Sequence, residues 1–373
     1  MKIAYLSTFY PYRGGIAQFN ASLMRELSRD NECKAYTFTR QYPNLLFPGS
    51  TQMVEANDNA QAIESIRLLD TINPLSYITT SRIIRKFKPD LLLTKFWMPF
   101  FAPSLGSVAR NIRKIGTKAF AILDNVIPHE KRIGDLALVK YFLNSNDAFV
   151  VMTESVKNDL LDLKPDAKYI LTPHPLYDHF GEKLTKETAR QILGIESKQK
   201  VLLFFGFIRS YKGLDLLLEA MTKLSNDYLL IIAGEVYGSF NEYEDYIKRN
   251  DLNNKVKLFI RYISDEEVKL FFCSSDVCVL PYKSGTQSGI IGISYHFDLP
   301  VIATDVGGLA EMINPYRTGI VVGEPKVENI IFGIEQYFQG ETSQIYTKNI
   351  RKYKEIANWK SLAFNIIRFY ENI

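Results

Sequence analysis

Over most of its 373 residues the chain alternates short apolar runs, bounded by turn residues, with longer stretches of helical period. A chain with that pattern buries both kinds of element by winding helices around a parallel sheet. Runs at residues 2–7, 33–38, 91–94, 118–123 and 148–152 predict strands, and a helix over 15–29 follows the first of them after a Gly-rich turn. A further helix opens at Thr153-Glu154-Ser155 and extends to about residue 163. Around 172–181 both periods vanish, and Thr172-Pro173-His174-Pro175-Leu176 reads as a connection between domains. The alternation then restarts, with strands predicted at 200–205, 228–233, 257–260, 276–280 and 300–303. Helices are predicted between them at 213–224, 242–249, 265–273 and 288–297, and a last one near 359–370. One core of ordinary size does not accommodate this length. The expected fold is therefore α/β with two doubly wound parallel-sheet domains, 1–175 and 176–355. Their ligand cleft is expected at the carboxyl ends of both sets of strands.

Composition narrows the partners. Hydrophobic residues make up 46% and charged residues 23%, the balance of a globular protein, and a net charge of +4 is only mildly basic. The cations are spread along the chain instead of forming a stripe with aromatics between them, so no nucleic-acid partner is expected. One local cluster, Arg110, Arg113, Lys114 and Lys118, reads either as a solvated helix face or as attraction to an anionic membrane surface or acceptor. Cys33, Cys273 and Cys278 lack a CxxC spacing, and the last two sit in apolar sequence, which fits a reducing compartment. Met1 leads straight into a buried-strand pattern instead of a signal peptide, and no run of ~18 apolar residues occurs. The expected location is the cytoplasm, with peripheral contact at the inner face of the membrane as the sharper reading of the basic cluster.

Three segments carry candidate chemistry. Pro11-Tyr12-Arg13-Gly14-Gly15-Ile16 falls between the first strand and its helix. Two glycines there let main chain approach a ligand, and a helix start offers N–H groups to phosphate. It is neither a GxGxxG fingerprint nor a phosphate-binding P-loop, and a plain tight turn also explains it. Phe205-Gly206-Phe207-Ile208-Arg209-Ser210-Tyr211-Lys212-Gly213 follows the first strand of the second half. Cations at a helix start oppose the dipole unless an anion sits there. A diphosphate resolves that conflict for Arg209 and Lys212, because Arg forks two oxygens and Lys adds a point charge. Tyr282-Lys283-Ser284-Gly285-Thr286-Gln287-Ser288-Gly289 offers hydroxyls, an amide and main-chain N–H groups between a strand and a helix. A helix cap alone would need one such residue.

These segments, in this order and followed by Pro300-Val301-Ile302-Ala303-Thr304-Asp305-Val306-Gly307-Gly308-Leu309-Ala310-Glu311, resemble the family-4 retaining glycosyltransferases of the GT-B fold. The likeness runs from the Gly14-Gly15 loop to the helix around Trp359. By that resemblance, Gly14, Gly15, Gly206, Arg209 and Lys212 hold the diphosphate of a nucleotide sugar, and Arg261-Tyr262-Ile263 supports the nucleobase. Residues 356–373 would cross back to the first domain. Two departures stand out. Relatives carry two glutamates eight positions apart before the Pro-Val-Ile strand, where this chain has Gly285 and Ile293, or Thr286 and Ser294 one register on. Thr286, Gln287, Ser288 and Gly289 are expected to replace that contact. Relatives also carry a histidine facing the transferred sugar where this chain has Asp124, in Leu123-Asp124-Asn125-Val126-Ile127-Pro128-His129-Glu130. An acid there can accept bonds from sugar hydroxyls or stabilise positive charge at the anomeric carbon. His129 matches the relatives' pattern and reads equally as structural.

The resulting expectation is retaining transfer from a nucleotide diphosphate sugar to a glycan or lipid-linked acceptor, with Asp124, Arg209 and Lys212 in the catalytic roles. Trp97 and His129 are expected on the acceptor side, within or near Phe96-Trp97-Met98-Pro99-Phe100-Phe101. No cofactor is expected, and no metal either, since neither a His/Cys/Asp/Glu set of ligand spacing nor an Asp-x-Asp is visible. A nucleotide-sugar epimerase and a non-catalytic partner subunit of the same fold remain open alternatives.

Overall fold

The computed structural model describes residues 1–43, 52–54, 62–127, 133–176, 180–236, 238–285, 288–340 and 342–373. The chain forms two compact units: residues 1–175 with Trp359–Ile373, and Leu176–Asn358. Among the described residues the first unit has a seven-stranded, all-parallel sheet. Its strands are β1 (Lys2–Leu6), β2 (Glu32–Arg40), β3 (Ser65–Asp70), β4 (Leu91–Phe96), β5 (Lys118–Leu123), β6 (Ala148–Val151) and β7 (Tyr169–Leu171). Their order across the sheet is β3-β2-β1-β4-β5-β6-β7.

The second unit repeats the plan with β8 (Lys200–Phe205), β9 (Tyr228–Ala233), β10 (Val256–Phe259), β11 (Val277–Leu280), β12 (Val301–Thr304) and β13 (Gly319–Val322). Here the order is β10-β9-β8-β11-β12-β13, again all parallel. Both sheets are Rossmann-like: each starts at a central strand, winds outward one way and then the other. The switch points lie between β1 and β4 and between β8 and β11, and ligands of such sheets bind in the crevice beyond the strand ends there.

The central strands are apolar over most of their length because both faces are covered, as parallel sheets require. Leu91, Leu92 and Leu93 of β4, Val201, Leu202 and Leu203 of β8 and Leu230, Ile231 and Ile232 of β9 are fully sealed. The edge strands β3, β7 and β13 were not anticipated from sequence. β3 exposes Ile66 and β7 exposes Leu171, so neither has the continuous apolar run that marks a buried strand. Helix Trp359–Glu371 lies on the first unit against helix Gly15–Asp30, where Trp359 meets Phe19 edge-on at 5.1 Å.

Candidate functional site

In the second unit the switch point is built by the segments after β8 and β11. Beyond Phe205 the chain turns at Gly206, φ +93°, which donates its N–H to Ala233 O. Arg209 precedes a single 3-10 turn, Ser210–Lys212, and Gly213, φ +71°, joins that turn to helix Leu214–Lys223. The two cations are therefore not on the long helix itself, as its predicted start at 213 implied, but on the turn before it. A Cβ on Gly213 would stand 1.9 Å from Pro281 O, and Lys283 N donates to Tyr211 O at 2.7 Å. Main-chain contact between the two segments thus sets where Arg209 and Lys212 stand.

Lys212 is buried, with 8% of its surface exposed, whereas Arg209 is exposed. The Lys212 ammonium lies 5.7 Å from the Tyr282 ring centroid and 3.4 Å from where a Cβ on Gly206 would be. Among the described residues it has no carboxylate and no hydrogen-bond acceptor, since its side chain's recorded contact is with that ring. Burial, and after it the neighbouring Arg209 guanidinium, lower its pKa to about 8. Across from it Tyr282 shares a hydrogen bond with Ser288 Oγ at 3.0 Å, and burial raises the phenol well above its ordinary value. Ser288 caps helix Gly289–His296 by accepting from Ile290 N. Gly289 is exposed at its first position, and a Cβ there would touch nothing within 4 Å. Thr286 and Gln287 lie outside the described residues. Of the positions that the resemblance pairs with glutamates, Gly285 has φ +150° and Ile293 packs against the core, while in the other register Ser294 is fully buried and Thr286 lies outside the described residues.

After β10 the main chain presents Tyr262, 66% exposed, above a buried Ile263. The loop is held by Arg261, whose guanidinium forks Glu267 at 2.5 and 2.9 Å. That contact holds the Glu267 carboxyl down at about 2. Glu267 also closes a capping box with Ser264 at the start of helix Asp265–Ser274.

In the first unit Gly14 caps helix Gly15–Asp30 with φ +105°, a conformation that favours glycine, and added Cβ atoms at Gly14 or Gly15 would meet nothing within 4 Å. The helix start has no side-chain cap. At the neighbouring strand ends Asp124 follows β5, donating its N–H to Phe96 O. Its carboxylate Oδ1 accepts from the ammonium of Lys95 at 2.5 Å. Lys95, one residue before the end of β4, is 1% exposed and was missed in the sequence, where a lysine reads as surface. The interrupted apolar run Leu91-Leu92-Leu93-Thr94-Lys95-Phe96 was the available signal. Phe96 and Phe101 belong to the core, while Trp97, Met98 and Phe100 are half-buried. Trp97 donates Nε1–H to Tyr42 Oη at 2.8 Å. His129 lies outside the described residues.

The basic cluster also resolves into parts. Arg113 pairs with Asp147 at 2.7 Å and Arg110 stands over the Tyr141 ring. With Lys114 and Lys118 they line a shallow recess of about 410 Å³. No helix among the described residues is long and apolar enough to cross a membrane.

Two all-parallel Rossmann-like units in one chain make up the GT-B fold. The crystal structure of the Anabaena protein HepE in complex with UDP shares it, with a TM-score of 0.73 at 14% identity over all of both chains. Residues 185–355 match the model of the family described as glycosyl transferases group 1. An uncharacterized glycosyltransferase of Methanocaldococcus jannaschii is 27% identical over 188 residues, which are 49% of this chain and 47% of that protein. A second from the same organism is 21% identical over all of this chain and 99% of its own.

Proposed function

We propose that the chain transfers a sugar, with retention of anomeric configuration, from a nucleoside diphosphate sugar to an acceptor hydroxyl. The observation that carries this reading is Lys212, a buried ammonium with no anion of its own among the described residues, beside Arg209 at the carboxyl end of β8. Burying a cation unpaired is costly, and a bound diphosphate removes the cost. HepE, of the same fold, binds UDP, and the matched family is one of glycosyl transferases.

In the proposed step the bond from the anomeric carbon to the diphosphate oxygen breaks. Arg209 and Lys212 stabilise the charge that develops on the leaving group. The acceptor oxygen bonds to the same face of the sugar, and its proton passes to the departing phosphate oxygen, so no strong protein base is required. Gly14, Gly15 and Gly206 give the phosphates close main-chain approach, and Tyr262 and Ile263 support the base. Thr286, Gln287, Ser288 and Gly289 take the place of the absent glutamates. Asp124 shares the catalytic role, and His129 and Trp97 serve the acceptor side next to it, with a glycan or lipid-linked acceptor. The recess at Arg110, Lys114 and Lys118 would hold the first unit against anionic lipid. No metal is assigned a role.

Arg209→Ala and Lys212→Ala are each expected to lower kcat/KM at least ~10-fold, about 1.4 kcal/mol of transition-state stabilisation. Turnover near wild type in both variants, with folding intact, would remove the assignment. Absence of any transfer by the wild-type chain would favour the non-catalytic partner reading.

A further inference from the structure

Lys95 has a place that packing does not explain. It sits in β4, between β1 and β5, where both faces of the sheet are covered. An apolar side chain would fit such a position without any desolvation. Its ammonium instead lies 3.5 Å from the Phe19 ring centroid and 2.5 Å from Asp124 Oδ1. The other groups that face it cannot neutralise it. Tyr5 of β1 donates its hydroxyl to Asn20 of helix Gly15–Asp30 at 2.5 Å, and burial, then Asp124, keep that phenol protonated. His174 meets Phe19 edge-on, and its pKa is lowered by burial and then by Lys95. Among the described residues Asp124 is the anion of this group and Lys95 is the ammonium paired with it.

The pair is asymmetric. Lys95 is sealed, while the Asp124 side chain keeps 25% of its surface exposed. Lys95 engages Oδ1, and Oδ2 meets no donor among the described residues. A surface aspartate turns freely; this one is anchored from beneath. Its main chain is tied to Phe96, next to Trp97, whose ring is fixed by the bond to Tyr42. A fixed carboxylate oxygen and a fixed aromatic ring at neighbouring strand ends suit a sugar, which offers hydroxyls to the one and an apolar C–H face to the other.

We propose that Lys95 is a positioning residue for the acceptor: it anchors Asp124 so that Oδ2 faces outward and accepts hydrogen bonds from acceptor-sugar hydroxyls. The inference rests on the transferase reading above. The cationic diphosphate ligands, Arg209 and Lys212, belong to the other unit, so the two can fail separately. The test uses the full chain and the octyl glycoside that the wild type glycosylates best from UDP-, GDP- or ADP-glucose. Lys95→Met is expected to raise acceptor KM ~10-fold or more with a smaller effect on kcat. Stabilisation of the chain by UDP should stay at the wild-type value. Asp124→Asn should do the same, and the double variant should be no worse than Asp124→Asn alone, because both changes remove one device. A purely structural Lys95 would lower the melting temperature and leave acceptor KM unmoved, and that result overturns the proposal. So does a double variant in which the two effects multiply. Should Lys95→Met fail to fold, Lys95→Arg decides. It keeps the charge but moves it, and is expected to raise acceptor KM several-fold, so a wild-type value overturns the proposal. No turnover by the wild type overturns the transferase reading and this inference together. Arg209-dependent turnover with an unaffected Lys95 variant overturns this one alone.

Discussion

A lysine whose pKa is lowered to about 8 gives the proposed diphosphate site a pH dependence of known sign. In the free chain Lys212 is charged at neutral pH and loses its proton as pH rises through about 8. A bound diphosphate favours the charged form, so above that point binding must take up a proton. The dissociation constant for UDP is therefore expected to rise by up to tenfold per pH unit above about 8, each unit being about 1.4 kcal/mol. Stability of the free chain moves the other way. The penalty for a buried ammonium is fully present below the lowered folded-state pKa and is relieved between about 8 and the unfolded value, so unfolding free energy gains over that window. Lys212→Met should flatten that rise in dissociation constant, leaving the contribution of the Arg209 guanidinium. Calorimetric titration with UDP from pH 7 to 9.5 measures both, and a pH-independent affinity in the wild type would mean that Lys212 does not contact the phosphates.

At the scale of elements, the 3-10 turn Ser210–Lys212 exists because Gly213 lets two segments approach closely. Gly213→Ala adds strain at φ +71° and a Cβ 1.9 Å from Pro281 O. The cost is expected to exceed ~1 kcal/mol, with UDP affinity falling alongside the melting temperature because the turn carries Lys212 and is capped by Arg209. Ser288→Ala is expected to cost about 1 kcal/mol as a lost cap and to orphan the Tyr282 hydroxyl; a melting point within a degree of wild type would contradict that role. These elements also show what was readable beforehand. β1, β5, β8 and β9 were found within a residue or so because their apolar runs are continuous and end in turn residues. β3 escaped because Ser65-Ile66-Arg67 alternates outward on an edge, and β7 because three residues are too few to show a period. The placement of Arg209 and Lys212 just before a helix was legible as a conflict with its dipole, from which the proposed phosphate role follows. The Lys95–Asp124 pair was only half legible: Asp124 stood out against the relatives' pattern, but its partner is 29 positions away and becomes visible only when β4 and β5 pair. Thr286, Gln287 and His129 lie outside the described residues.

For the molecule as a whole, the consequence lies in how two units of similar plan respond to one ligand. Arg209, Lys212, Tyr262 and Ser288 all belong to the unit Leu176–Asn358, whereas Lys95, Asp124 and Trp97 belong to the other. A chain of two domains need not unfold in one step, so a single melting temperature is not assumed. A ligand that binds the folded state at 100 times its dissociation constant adds roughly 2.7 kcal/mol to whatever unit holds it. For a domain of this size that corresponds to about 5–10 °C. Differential scanning calorimetry with UDP, GDP and ADP in turn should therefore show one nucleotide raising the transition that involves the second unit. The shift should vanish in a variant carrying both Arg209→Ala and Lys212→Ala. It should persist in Asp124→Asn, which leaves the phosphate ligands in place. It should also persist in excess EDTA, because the reading gives the phosphate charge to an arginine, a lysine and main-chain N–H groups. A shift that EDTA abolishes and Mg²⁺ restores would assign that charge to a metal ion instead. If none of the three nucleotides shifts any transition, Lys212 is buried without its anion, and the donor-binding reading of the second unit is lost.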